Sequence, residues 1–282
     1  MPELPELEIV KEVLRRRVVG TTIRIVEILP PGGPIVVRDL TQGGFGQLLT
    51  GATIGAVDRR GKFLLFIIDR VGTPVDRQLH LALNPKLTGR LQLAAPSERR
   101  RSETHVVFSL SSGDELRYVD QKRIGQLYLT RKLSQVPDLE SMGPEPLSIS
   151  LEVFRGRLRQ YRGELKGILT RGELVAGIGN AYADEILWAA RIHPYRKRTQ
   201  LTPDETDRLY AAMRTTLSDA VERVRLEMGD AIHLKPRDFL SVHMKSGEPC
   251  PRCGNPISVI SANQRITNFC RTCQPGGLIR GM

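Results

Sequence analysis

The chain has 282 residues, with 42 Lys and Arg against 31 Asp and Glu for a formal charge of +11. That length exceeds most single cores and falls short of three large ones, so two domains and a small appendage are expected. The charge favours a polyanionic partner, nucleic acid or an anionic membrane surface, while the longest apolar run, residues 63–68, is far below the roughly 20 residues that span a bilayer.

The opening stretch from Met1 to Glu8 is acidic where a signal peptide needs positive charge and then an apolar segment. All four cysteines fall between Cys250 and Cys273, as a reducing compartment favours, so a cytosolic protein is expected. Leu7, Val10, Leu14 and Val18 recur at helical spacing, with Glu8, Lys11, Glu12, Arg15 and Arg16 on the other face. Pro5 suits the first turn of that helix, the early glutamates and late arginines complement its dipole, and Gly20 can stop it. Pro2 and Glu3 therefore sit just before a helix amino terminus.

From Thr22 to Leu133 the texture changes to short β-rich runs broken by Gly, Pro and Asp, at 23–29, 53–57, 62–68, 90–93, 104–110, 115–119 and 126–129. Such spacing predicts a sandwich or barrel-like first domain. Residues 135–149, with Pro137, Pro144 and Pro146, read as a linker. A helix follows Ser150 through Leu151, Phe154 and Leu158. Two further helical patterns within 165–191 are split by Gly177-Ile178-Gly179-Asn180. Thr202-Pro203-Asp204-Glu205 is a capping box with proline at the first helical position, and Leu209, Met213, Leu217, Ala220 and Val224 carry that helix to Gly229.

The pairs Cys250-Pro-Arg-Cys253 and Cys270-Arg-Thr-Cys273 have the spacing of a four-thiolate zinc ribbon. Four thiolates leave no position for water, so one structural Zn2+ per chain is expected. Arg252, Arg265, Arg271 and Arg280 in the same segment suggest a DNA-contacting finger.

Four features in order, namely Pro2-Glu3-Leu4-Pro5-Glu6, Arg59-Arg60-Gly61-Lys62, Gly177-Ile178-Gly179-Asn180 with Tyr182 and Glu185, and Gln264-Arg265 before the second cysteine pair, give the chain its resemblance to the formamidopyrimidine-DNA glycosylase and endonuclease VIII family. The resemblance covers essentially the whole length. It implies an α+β multidomain fold: a β-sandwich catalytic domain with one catalytic helix over 1–134, a linker over 135–149, a helix-two-turns-helix DNA-binding domain over 150–245 and a zinc-ribbon finger over 246–282. It also implies a bifunctional glycosylase and abasic-site lyase acting as a monomer on double-stranded DNA with damaged bases. The chemistry of the terminus agrees. An α-amino group has a pKa of about 8 against about 10.4 for lysine, so once Met1 is removed it is the better unassisted amine nucleophile at neutral pH.

In the mechanism so implied, Pro2 attacks C1′, Glu3 moves a proton at the sugar, and Glu6 supports them. Lys62, Asn180 and Arg265 hold phosphates around the extruded nucleotide, with His80 and Lys166 among the DNA contacts. The sequence departs from the family pattern in two loops. Leu87 stands by spacing alone where relatives fill the gap left by the base with methionine. Asp120-Gln-Lys-Arg-Ile-Gly125 replaces Asp-Pro-Arg-Arg-Phe-Gly, so Lys122, Arg123 and Ile124 face the opposite strand with a lysine and an aliphatic residue in place of an arginine and an aromatic. Residues 229–239 also lack a Gly-Gly-Thr-rich capping loop. Oxidised purines such as 8-oxoguanine and formamidopyrimidines are the expected substrate, with oxidised pyrimidines the alternative. A catalytically silent DNA-binding relative is disfavoured by the presence of Pro2, Glu3 and Lys62, and a membrane-surface or RNA-binding protein leaves the terminal amine unexplained.

Overall fold

The computed structural model describes residues 1–70, 78–262 and 265–276. The chain divides into two compact units, Met1–Ser141 with Val224–Pro236, and Met142–Arg223 with Arg237–Met282.

The first unit opens with α1 (Leu4–Arg17), whose buried stripe is Leu4, Leu7, Val10 and Leu14 with Ile9 and Val13 beside it. Among the described residues, two short helices, α2 (Gly33–Val36) and α3 (Phe45–Leu49), and nine strands follow. The strands are β1 (Ile23–Ile28), β2 (Val37–Asp39), β3 (Thr53–Arg60), β4 (Phe63–Asp69), β5 (Leu79–Asn84), β6 (Arg90–Ala94), β7 (Thr104–Leu110), β8 (Glu115–Val119) and β9 (Gln126–Thr130). One sheet has the order β1-β7-β8-β6 and the other β2-β9-β5-β4-β3. This is the expected sandwich. Its core draws Val106, Phe108 and Leu116 from the first sheet and Phe63, Phe66, Leu81 and Leu127 from the second.

Two of these strands were not expected. In β5, a central strand paired with β4 and β9, Leu79, Leu81, Ala82 and Leu83 are all buried, and a strand with buried residues on both faces loses the alternation that marks a half-exposed one. Strand β2 has three residues, paired parallel to β9, too few to show a period. Lys62, expected to begin a strand, instead sits in the turn between β3 and β4.

The second unit contains α4 (Leu151–Arg159), α5 (Leu165–Thr170), α6 (Asn180–Ala189) and most of α7 (Pro203–Met228). Ser150 caps α4 by accepting the Val153 N–H at 3.3 Å. The capping box before α7 forms as expected, with Thr202 Oγ1 accepting the Glu205 N–H at 3.2 Å and the Glu205 carboxylate accepting the Thr202 N–H at 3.0 Å. Phe154, Leu165, Ile168, Ile178, Tyr182, Ile186, Leu209, Met213 and Leu217 form one buried cluster. The ribbon adds the antiparallel pair β10 (Ser258–Ala262) and β11 (Arg265–Phe269). No helix among the described residues is long and apolar enough to cross a membrane.

Candidate active site

At the start of α1, Pro2 is buried and Glu3 is only 2% exposed. The Glu3 N–H donates to a carboxylate oxygen of Glu6 at 2.9 Å, so the acidic residue of the first turn fixes the extended backbone that leads into the helix. Pro2 and Glu6 line a small, largely apolar cavity of about 20 Å3 that Pro85, Gly89, Ile232 and Lys235 also border. The Pro2 nitrogen is an amide of Met1 in the full chain and becomes a secondary amine when Met1 is removed.

Lys62 reaches its place through a neighbour. Arg59, at the end of β3, donates from Nε to Glu8 of α1 at 2.7 Å and from Nη1 to the Gly61 carbonyl at 3.0 Å. The turn that carries Lys62 is thus fastened to the helix that follows Pro2. Burial pushes the Glu8 carboxyl up, but Lys11 and Arg59 outweigh it and hold Glu8 below the usual carboxylate range. Neither Glu8 nor Arg59 was singled out for this from sequence, although Glu8 lies on the polar face of the expected helix and Arg59 begins the motif that ends at Lys62.

His80 lies in β5, paired with Thr130 of β9 and Ile67 of β4. Burial lowers its pKa, so at neutral pH it offers a neutral imidazole. Leu87 is 47% exposed in the loop after β5, and Ile124 is 40% exposed in the loop after β8, where Lys122 and Arg123 are exposed too. The buried Asp120 joins these two loops.

In the second unit, Asn180 begins α6 after the Gly177 to Gly179 turn. Its Nδ2 donates to the Ile266 carbonyl of β11 at 2.8 Å, and its Oδ1 is buried without a hydrogen-bond donor among the described residues. Lys166, expected among the DNA contacts, is buried in the structure. Its side chain is 7% exposed and its ammonium meets Asp184 at 2.6 Å, the Ile266 carbonyl at 2.8 Å and Thr267 Oγ1 at 2.8 Å. The ammonium is thus paired with a carboxylate and hydrogen-bonded within its own unit. The physical reason is burial, which demands a counter-charge for the ammonium.

Asp184 also accepts from the Asn268 N–H at 3.2 Å and lies 2.9 Å from His243 Nδ1, and Glu185 accepts the N–H groups of Ser241, Val242 and His243. Burial pushes the Glu185 carboxyl up against those three donors. This Asp184-Glu185 pair organises the segments around β11, a role that sequence reading missed. Its only signal was two acids following an apparent helix start. Arg265 is the first residue of β11 and pairs with Ala262. Its side chain lies outside the described residues, as do Gln264 and Arg280.

The sulfur atoms of Cys250, Cys253, Cys270 and Cys273 lie within 4.8 Å of one another, and none forms a disulfide. The Cys250–Cys273 and Cys253–Cys270 separations are 3.8 and 3.5 Å. A tetrahedral zinc with bonds of about 2.3 Å spaces its sulfurs by about 3.8 Å, so the donor set fits the ion. The electrostatics agree. Burial opposes ionisation of Cys250, but the backbone N–H groups of Arg252 and Cys253 and the Trp188 side chain bring it down to about 6. Burial and the neighbouring sulfurs push Cys273 up to about 12, so four thiolates need a cation among them. The cluster is the site of one structural Zn2+, held by these four cysteines.

The chain matches three domain families along its length: the formamidopyrimidine-DNA glycosylase N-terminal domain over residues 1–127, the formamidopyrimidine-DNA glycosylase H2TH domain over 142–229, and the zinc finger found in FPG and IleRS over 247–276. It is 40% identical over 284 residues to a formamidopyrimidine-DNA glycosylase of Symbiobacterium thermophilum, covering 98% of this chain and 90% of the relative. The chain belongs to the formamidopyrimidine-DNA glycosylase family. Among solved structures, it is similar to Lactococcus lactis Fpg in complex with DNA containing an abasic site, with a TM-score of 0.83 and 31% identity over 97% of this chain and 100% of that one. A mutant of the same Lactococcus lactis protein bound to Fapy-dG containing DNA gives a TM-score of 0.83 at 32% identity, over 98% of this chain and 100% of that one. The fold expected from the resemblance, a sheet domain, a helical domain and a zinc ribbon, is the fold these relatives share.

Proposed function

We propose that this chain excises oxidised bases, oxidised purines first, from duplex DNA and cuts the strand at the resulting abasic site through an imine on Pro2. The activity class is that of its family, a base-excision-repair DNA glycosylase with abasic-site lyase activity. The observation that carries the residue assignment is the start of α1. There Pro2 and Glu6 line a cavity, and the buried Glu3 beside Pro2 is fastened through its N–H to Glu6 at 2.9 Å.

After removal of Met1, the Pro2 lone pair attacks C1′ and the glycosidic bond breaks, its electrons leaving with the base, which takes up the proton that the Pro2 nitrogen loses. Glu3 gives a proton to the ring oxygen as the sugar opens, and nitrogen and C1′ share an iminium. The positive nitrogen acidifies the C2′ proton. Its loss drives out the 3′ phosphate, a second elimination with loss of the C4′ proton releases the 5′ phosphate, and water hydrolyses the imine to restore Pro2. Lys62 and the Arg265 guanidinium supply cations for the flanking phosphates. Asn180 acts from a helix amino terminus, where backbone N–H groups favour an anion. His80, Leu87, Lys122, Arg123 and Ile124 are retained as DNA contacts, and Lys166 acts by holding the strand that begins with Arg265. The partner is double-stranded DNA met by a single copy of the chain in a bacterial cytosol.

Borohydride added during reaction with a lesion-bearing duplex should leave a covalent protein–DNA adduct, and peptide mapping should put it at residue 2. An adduct on Lys62 or another lysine, or base release without any adduct, would remove Pro2 from this role.

A further inference from the structure

Asp120 gathers five hydrogen bonds on its carboxyl, and nothing in the chemistry at Pro2 uses it. Its side chain is fully buried. One oxygen accepts the Thr88 hydroxyl and the Lys122 N–H, the latter at 3.2 Å. The other accepts the Tyr118 hydroxyl at 3.1 Å and the N–H groups of Ile124 at 3.0 Å and Gly125 at 2.8 Å. Thr88 closes the circuit by accepting the Lys122 N–H at 3.0 Å.

These bonds join two loops. Thr88 follows Leu87, while the three backbone donors belong to the loop of Lys122, Arg123 and Ile124. The approach is close as well as bonded. A Cβ on Gly89 would lie 2.4 Å from the Tyr118 hydroxyl oxygen, and one on Gly125 would lie 1.8 Å from the same atom. Arg123 is held at a φ of +55°, a left-handed conformation that costs a non-glycine residue energy unless its surroundings impose it. Burial keeps the Tyr118 hydroxyl protonated by pushing its pKa well up, so Tyr118 acts as a donor throughout the neutral range. The product of this scaffold is two exposed aliphatic side chains, Leu87 and Ile124, on loops with one common anchor. Apolar side chains held rigidly in this way suit insertion into a base stack, where a free loop would lose the entropy of ordering on contact.

We propose that Asp120 and Thr88 are positioning residues that set Leu87 against Ile124 as one rigid wedge, and that this wedge serves only the double-stranded substrate. The proposal rests on the glycosylase reading above. It separates two demands on the enzyme. Chemistry at Pro2 needs the sugar of the damaged nucleotide, whereas the wedge needs the stack and the strand opposite, which a single-stranded substrate lacks.

The test compares two substrates for the unmodified protein, Thr88→Val and Thr88→Ser. One is a single-stranded oligonucleotide carrying a preformed abasic site, and the other is a duplex carrying 8-oxoguanine opposite cytosine under single-turnover conditions. Thr88→Val keeps the shape of the side chain but removes the bridge. It should cut the abasic single strand within about twofold of the unmodified rate while excising from the duplex about tenfold more slowly or worse, as expected for misplacement of a group outside the chemistry. Thr88→Ser, which restores the hydroxyl, should recover duplex excision to within about threefold. Asp120→Asn should reproduce the duplex-selective loss.

Equal losses on both substrates, or full duplex excision by Thr88→Val, would overturn the proposal, as would failure of Thr88→Ser to recover what valine loses. Failure of the underlying reading looks different. In that case the unmodified protein itself forms no borohydride-trapped adduct on the abasic single strand.

Discussion

The ribbon and the paired loops of the first unit are each held by one central group, and the two differ in what supplies the bonds. In the ribbon, four cysteine sulfurs within 4.8 Å of one another gather around a cation site. In the loops, five donors converge on the two oxygens of Asp120. The first is a cross-link made by side chains, and each of its partners is a residue type that can be read in sequence. The second is made largely by backbone N–H groups, which every residue but proline carries. Energies of the two should differ as widely as their visibility. Apparent zinc binding to such sites is worth roughly 10–16 kcal/mol, and a hydrogen bond to a charged group about 1.5–3 kcal/mol.

The largest effect should therefore come from the ribbon. Cys273→Ser should lower the zinc content from one ion per chain, expose residues 247–276 to protease, and reduce DNA affinity by an order of magnitude or more, with the first unit still folded by its own thermal transition. Zinc analysis, limited proteolysis and a binding titration measure the three. Full DNA affinity in a metal-free protein would show that the ribbon contributes no binding surface.

Next in size is the buried pair of Lys166 and Asp184, which resembles the ribbon in needing a partner for a buried charge but has no metal. Removing one member of such a pair typically costs about 3–5 kcal/mol, since the other is left uncompensated. Lys166→Met should lower the melting temperature of the second unit, and Lys166→Met with Asp184→Asn should be less damaging than the sum of the two single changes. If Lys166 instead serves as a phosphate contact, Lys166→Met will leave stability unchanged and reduce the slope of log affinity against log salt by about one unit.

These contrasts explain how much could be read without coordinates. Helix α1, the capping box at Thr202 and Glu205, the four cysteines and most strands were legible because each rests on local spacing or on residue types with one dominant use. Strand β5 was not, because burial on both faces erases alternation. Nor was the internal role of Lys166, since an isolated lysine in sequence gives no sign of whether Asp184 will meet it in a core or a phosphate will meet it at the surface. Asp120 was quoted as the first letter of a loop motif, and its function as the anchor of that loop depends on Thr88 and Tyr118 from other elements. Local chemistry is legible in proportion to how little it depends on partners distant in the chain.

A steric test sharpens the description of the Asp120 site. Gly125→Ala would place a methyl group 1.8 Å from the Tyr118 hydroxyl oxygen, so either the loop or the tyrosine must move. Overpacking of this kind usually costs about 1–3 kcal/mol. Tyr118→Phe alone should cost about 1 kcal/mol for the lost bond to Asp120, yet it also removes the atom that the new methyl meets. The double variant should then be less destabilised than the sum of its parts by at least about 0.5 kcal/mol, the signature of coupled neighbours. Additive effects in chemical denaturation would mean that the hydroxyl is not what excludes a side chain at residue 125.

The smallest expected effect belongs to Glu8, which ties the Lys62 turn to α1 through Arg59. Its folded pKa lies below the ordinary 4.5 because Lys11 and Arg59 outweigh burial. A carboxyl so depressed stabilises the fold at pH values above its unfolded pKa, and that stabilisation disappears as the pH falls through the folded value, where both states hold the proton. The Arg59 side chain is mostly buried and Glu8 partly so, which makes the pair worth more than a fully exposed one and less than a closed internal one, about 1 kcal/mol at neutral pH. Glu8→Gln preserves the size of the side chain and an oxygen for Arg59 while removing the charge. The stability gap between the unmodified protein and Glu8→Gln should therefore be widest from about pH 6 to 8 and should narrow steadily below about pH 4.5, as measured by urea unfolding at a series of pH values. A gap that stays constant down to about pH 3 would assign the effect to packing and leave the charge on Glu8 without a part in holding the turn.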